Sequence, residues 1–143
     1  MSDRETGSRH RTGEATRRAV LGDAHVERAN AARTEFDTRY QTMITEGAWG
    51  TVWSDETLTR RERSLITIAL LAALGHKDEL ALHIRATANT GATADEIREA
   101  LMHVAIYGGV PAANSAIRIA KETLAKMEKP DTDRGSDSSG RKA

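Results

Sequence analysis

Residues 59–75 read TRRERSLITIALLAALG, and the fold turns on this stretch. Thr59 and Glu62 have the S/T-x-x-E spacing of a capping box, in which the hydroxyl accepts from one free helix N–H and the carboxylate reaches back to another. The run that follows carries Leu, Ile or Ala on nearly every side of each turn, and Gly75 offers a left-handed stop. A helix this apolar belongs inside a bundle or against a second subunit, because one small chain cannot easily surround it. The expected fold is all-α, a compact bundle of about five to six helices that oligomerises.

Similar punctuation recurs on both sides. A helix is predicted from near His76 to just before Gly91, and Thr93 with Glu96 caps another that runs to Gly108-Gly109. Pro111 suits the first turn of a last helix, which closes before Pro130. Upstream, a segment from Glu14 to Leu21 ends at Gly22, and Thr34 with Asp37 opens a helix carrying Phe36, Tyr40, Met43 and Ile44 that stops near Gly47. No segment alternates apolar and polar residues as a strand would, and no solenoid period is evident. Residues 1–13 and 130–143 are polar with little to bury and are expected to be disordered tails around one domain, residues 14–129.

Composition narrows the chemistry. The 143 residues carry 21 Lys plus Arg against 21 Asp plus Glu, so nothing draws the chain to phosphate backbones or anionic membranes, and no nucleic-acid or membrane partner is expected. Cysteine is absent, which excludes disulfides, thiolate metal sites and thiol redox chemistry. The opening residues lack an apolar signal core, and no window reaches the length of a membrane span, so a cytoplasmic protein is expected.

In the predicted helix HKDELALH, residues 76–83, the i, i+3, i+7 spacing puts His76, Glu79 and His83 in one line. Such a line is also what a solvated helix face looks like, but Lys77, Asp78 and Arg85 already supply one elsewhere on the helix. Three chemistries suit it. Imidazole and carboxylate are metal ligands, so a divalent ion is one occupant, with help from His103; the spacing matches no established zinc motif. A serine hydrolase would recruit Ser64, yet no Gly-x-Ser-x-Gly elbow surrounds it. Metal-free acid–base catalysis remains, with a carboxylate orienting a histidine and raising its pKa. Glu96, Glu99, His103 and Tyr107 form a second line, in which Glu99 and His103 also make an ordinary intrahelical pair. Trp49 and Trp53 fall in a Gly-flanked loop, AWGTVW, as core plugs or as a pocket wall.

The Leu58–Leu74 helix, the His83 helix and GATADEIREALMHVAIYGGVPAANSAI together resemble the carboxymuconolactone decarboxylase family, which shares an AhpD-like helical fold with the alkylhydroperoxidases; the likeness spans roughly residues 14–127. The peroxidase branch has a Glu followed by Cys-x-x-Cys-x-x-x-His. Setting that His on His83 puts the Cys positions on His76 and Glu79 and the Glu position on Ser64, so peroxidase chemistry does not carry over. RRAVLGDAHVERA, FDTRYQTMITEGAWGTVW and RRERSLITIALLAALG resemble more specifically the branch that decarboxylates 4-carboxymuconolactone in protocatechuate breakdown.

That resemblance implies a cofactor-free loss of CO2 yielding 3-oxoadipate enol-lactone, in a hexamer by family likeness. His83 is then the expected proton donor, Glu79 its orienting carboxylate, and His76 or His103 an aid at the oxyanion. Arg63, Arg33 and Arg85 are the expected grips for substrate carboxylates, and Trp49 an apolar wall; Arg63 also suits a structural ion pair, and Arg85 lies about 160° round the helix from His83. No metal is expected. The rival readings are a family member acting on another lactone or acid, and a non-enzymatic helical oligomer with a His/Glu metal site.

Overall fold

A computed structural model describes residues 3–129, and all its regular structure there is helical. Seven α-helices follow in order: α1 (Asp3–Leu21), α2 (Asp23–Ala31), α3 (Glu35–Ile44), α4 (Arg60–Leu74), α5 (Lys77–Thr90), α6 (Ala94–Tyr107) and α7 (Val110–Glu128). Between α3 and α4 the chain continues as a π-helical segment, Thr45–Trp53. The expected five to six helices are thus too few, and the predicted tail 130–143 lies outside the described residues.

The boundaries downstream of residue 58 follow local chemistry. Thr59 Oγ1 accepts from Glu62 N–H at 3.1 Å while Glu62 accepts from Thr59 N–H at 3.0 Å, and Thr93 with Glu96 repeats the exchange at the start of α6. Gly75, at φ 77°, ends α4 in a Schellman turn: His76 N–H reaches Leu71 O at 2.9 Å and Gly75 N–H reaches Ala72 O at 3.3 Å.

Helices α4 to α7 share one core. Ile68 and Ala72 of α4 meet Leu80 and Ile84 of α5, Ile97, Leu101 and Val104 of α6, and Ala113, Ala116 and Ile119 of α7. Each large aliphatic buried there contributes about 1.5–3 kcal/mol. One chain covers only part of α4 and α6, however, and Ile66, Leu70, Leu74, Met102, Ile106 and Tyr107 remain exposed. Phe36, on α3, is 96% exposed.

Two expectations upstream are corrected. Helix α1 begins at Asp3 rather than Glu14, so residues 3–13 are helical rather than a tail. The reason is a close backbone approach: a Cβ on Gly13 would stand 2.1 Å from Thr45 O, and one on Gly50 would stand 2.6 Å from Arg9 O. Glycines that weaken an isolated helix here let α1 dock onto the π-helical segment. That segment also replaces the expected loop at AWGTVW. Its wider turns are tied by Thr51 Oγ1 to Glu46 O at 3.0 Å and Ser54 Oγ to Trp49 O at 2.6 Å, both five residues apart.

Candidate active site

The second core holds the candidate site. Val20 of α1, Trp49 and Trp53 of the π-helical segment and Ala86 of α5 pack together, and His83 completes the cluster from α5. Its ring lies nearly parallel to both indoles, 6.4 Å and 10° from Trp49 and 6.0 Å and 21° from Trp53, while the indoles stack at 5.2 Å. Both tryptophans are buried. They pack as core residues on a helical segment and not on a loop.

Nδ1 of His83 is buried and has no hydrogen-bond partner among the described residues. Burial pushes the pKa of His83 down to about 4; the Glu79 carboxylate opposes this and His25 adds to it. The neighbouring carboxylate does push the pKa upward as expected, but desolvation of the imidazolium outweighs one exposed carboxylate. At neutral pH the free site holds a neutral imidazole with an unused ring nitrogen.

Histidine 76 stands at the very start of the expected line. Its N–H closes the α4 Schellman turn and its carbonyl accepts the first bond of α5 from Leu80 N–H, so it is the N-cap of that helix, at φ −85° and ψ 80°, with an exposed side chain. His103 sits elsewhere, exposed on α6 with its ring 6.1 Å from that of Tyr107, on a helix that packs against α4 and α7. Among the described residues no three His, Asp or Glu side chains gather as a metal-holding group.

The three arginines separate. Arg63 donates to Asp55 O at 3.1 Å and Asp55 Oδ1 at 3.4 Å, the structural pair foreseen as its duller role, although its buried Nε has no partner among the described residues. Arg85 is exposed and lines a groove of about 380 Å³ between α5 and α7. Arg33 donates through NH2 to Asn30 Oδ1 at 3.4 Å, and its buried Nε is likewise without a partner among the described residues.

Two further residues belong to this region and were not singled out from the sequence. Arg17 of α1 is only 7% exposed, and its guanidinium donates to the same Asn30 Oδ1 at 3.3 Å. Burial holds its pKa below the usual arginine value, with Arg33 and Arg18 pushing the same way and Glu14 opposing. His25 of α2 is held below the usual histidine value by burial and by Arg17, Arg28 and Arg85. The available signal was a helical stripe: Gly13, Thr16, Arg17 and Val20 share one buried face of α1, and an arginine on such a face asks for an explanation.

The region brings together two stacked tryptophans, a neutral histidine and the buried Arg17 guanidinium within an all-helical fold. The family model of the carboxymuconolactone decarboxylase family matches residues 38–122. The chain is 45% identical over 116 residues to the 4-carboxymuconolactone decarboxylase of Acinetobacter baylyi, covering 81% of this chain and 87% of that one. It is also 42% identical over 111 residues to the nitrosuccinic acid decarboxylase of Metarhizium robertsii, covering 78% of each. A 4-carboxymuconolactone decarboxylase sequence from Pseudomonas putida is 48% identical over 42 residues, 29% of this chain and 88% of that sequence. The chain belongs to the carboxymuconolactone decarboxylase family.

Proposed function

We propose that the protein decarboxylates 4-carboxymuconolactone to 3-oxoadipate enol-lactone and CO2. The observation that carries this is the 45% identity to the Acinetobacter enzyme along 81% of the chain. The site chemistry fits. The leaving carboxylate sits on a ring carbon vinylogous to the lactone carbonyl. Breaking its C–C bond therefore sends the electron pair into a 2-oxyfuran-like dienolate, and the substrate supplies its own electron sink. The protein must then hold two carboxylates, disfavour hydration of the departing one, and deliver a proton to the ring carbon beside the carbonyl.

His83 is assigned as that proton donor. Its pKa of about 4 leaves it neutral in the empty site, and a dianion bound beside it reverses the balance by favouring imidazolium. The ring takes a proton from solvent as substrate binds and passes it to the dienolate carbon. Glu79 assists the imidazolium through its charge. Trp49 and Trp53 withhold water from the carboxylate that leaves, which favours the neutral product CO2. Arg33 is the first choice to grip the remaining carboxylate, because Arg63 is already bonded to Asp55.

The protein is further proposed to act as a cytoplasmic homo-oligomer, a hexamer by family likeness, in protocatechuate catabolism. The exposed rows on α4 and α6 and the bare Phe36 support assembly. No helix among the described residues is long and apolar enough to cross a membrane. The 42% identity to the nitrosuccinic acid decarboxylase keeps a second reading in view, decarboxylation of a different acid. Following loss of the ultraviolet absorbance of 4-carboxymuconolactone, with nitrosuccinate tested in parallel for CO2 release, separates the two. Turnover of nitrosuccinate alone would select the second reading.

A further inference from the structure

We infer that Arg17 and Arg33 together form a seat for a carboxylate, with Asn30 as the residue that spaces them, and that the acetate arm of the lactone occupies it. The inference presupposes the decarboxylation proposed above only in naming that arm; the seat itself follows from geometry.

Two guanidiniums converge on one neutral atom. Arg17 and Arg33 both donate to Asn30 Oδ1, at 3.3 and 3.4 Å, distances at the weak end for such bonds. The amide is held oxygen-first toward them because its Nδ2 donates to Glu14 Oε1 at 3.3 Å. Glu14 is the nearest carboxylate, but it stands 3.9 Å from Arg17 and serves Arg18 at 3.2 Å. Arg18 has further partners of its own in Asp23 and Glu27. No carboxylate among the described residues pairs with Arg33, whose Nε is buried and unused. A guanidinium whose only partner among the described residues is a neutral amide, and whose buried Nε donates to none of them, is unfavourable unless something completes it. A carboxylate would complete it, because it offers four lone-pair sites where the amide oxygen offers two, and it matches the guanidinium fork.

The seat also lies at the right place. Arg17 shares its buried α1 face with Val20, which packs against Trp49 and Trp53, and α1 packs on α5, the helix that carries His83. His25 of α2 feels the charge of Arg17 and in turn acts on His83, which couples the arginine face electrostatically to the histidine. A carboxylate held by the arginines therefore anchors one end of a small lactone while the tryptophans and His83 enclose the other.

The test is binding by the full-length protein of a saturated butyrolactone that carries a single acetate arm and cannot decarboxylate. It is followed by calorimetry and by the fluorescence of Trp49 and Trp53, the two tryptophans of the chain. Arg17→Gln and Arg33→Gln should each weaken binding by about tenfold or more. Asn30→Asp is the sharper probe, since it supplies both guanidiniums with an internal carboxylate. That variant gives up the hydrogen bond to Glu14 but should remain folded, bind the lactone at least about tenfold more weakly, and raise KM for 4-carboxymuconolactone more than it lowers kcat. A purely structural cluster predicts no loss of affinity in Asn30→Asp. Binding within about twofold of wild type in that variant, or a wild type that does not bind the lactone, overturns the seat. Arg17-dependent binding in a protein that leaves 4-carboxymuconolactone unchanged keeps the seat and rejects the reaction; normal turnover with an unmoved KM in Asn30→Asp does the reverse.

Discussion

The ring of His83 lies within 10° of parallel to that of Trp49, and its buried Nδ1 atom meets no donor or acceptor among the described residues. An imidazole so placed resists protonation until an anion arrives. The pairing links the fold, through the docking of α1 and the π-helical segment onto α5, to the chemistry proposed for the site.

The first consequence is a linkage between binding and protonation. At pH 6 the free site holds a neutral His83, so binding of the dianionic substrate or an inert dicarboxylate should draw in up to about one proton. Calorimetry in two buffers of different ionisation enthalpy measures this uptake. The uptake should vanish in His83→Phe, and an unchanged uptake there would place the proton elsewhere.

The same depressed pKa shapes stability. Between pH 6.5 and about 4 the unfolded chain protonates this histidine and the folded chain does not, so stability falls as pH falls through that window and levels off below it. The contribution reaches at most roughly 3 kcal/mol. His25, also depressed, acts in the same direction. Thermal melts at pH 7 and pH 4.5 should show a smaller acid-induced drop for His83→Phe than for wild type.

Gly13→Ala should destabilise the fold by about 2 kcal/mol or more, because its methyl group would meet Thr45 O at 2.1 Å, well inside contact distance. Gly47→Ala, with nothing within 4 Å, serves as the comparison and should be neutral or slightly stabilising. Chemical denaturation of the two variants provides the check.

Ile106 and Phe36 are 78% and 96% exposed in the single chain. If copies of the chain cover these faces, Phe36→Glu and Ile106→Glu will bring the mass seen by light scattering down toward the 15.6 kDa of one chain. An unchanged mass in both variants would place the assembly surface elsewhere.

What could be read in advance divides by range. The starts of α4 and α6 and the stop of α4 were legible, because Thr59, Thr93 and Gly75 act on atoms within a few residues of themselves. The early half of α1 was not, since its helix depends on the distant contact of Gly13 with Thr45 and Gly50. Helix α2 was missed because Gly22, at φ 90°, is a stop that the chain restarts at once, and Val26 alone is buried there. In the candidate site, the helical register of Glu79 and His83 was legible. His76 falls at the N-cap of that same helix, because Gly75 ends the previous one just before it. The surroundings of His83 come from α1, α2 and the π-helical segment, so neither its burial nor the Arg17–Asn30–Arg33 cluster followed from local spacing.

In the proposed reaction His83 delivers the proton that completes decarboxylation. Steady-state turnover of 4-carboxymuconolactone by wild type and His83→Ala, each shown by circular dichroism to be folded, tests it most directly. A loss in kcat of at least about a hundredfold is expected in the variant. A folded His83→Ala protein that turns over at close to the wild-type rate would contradict it.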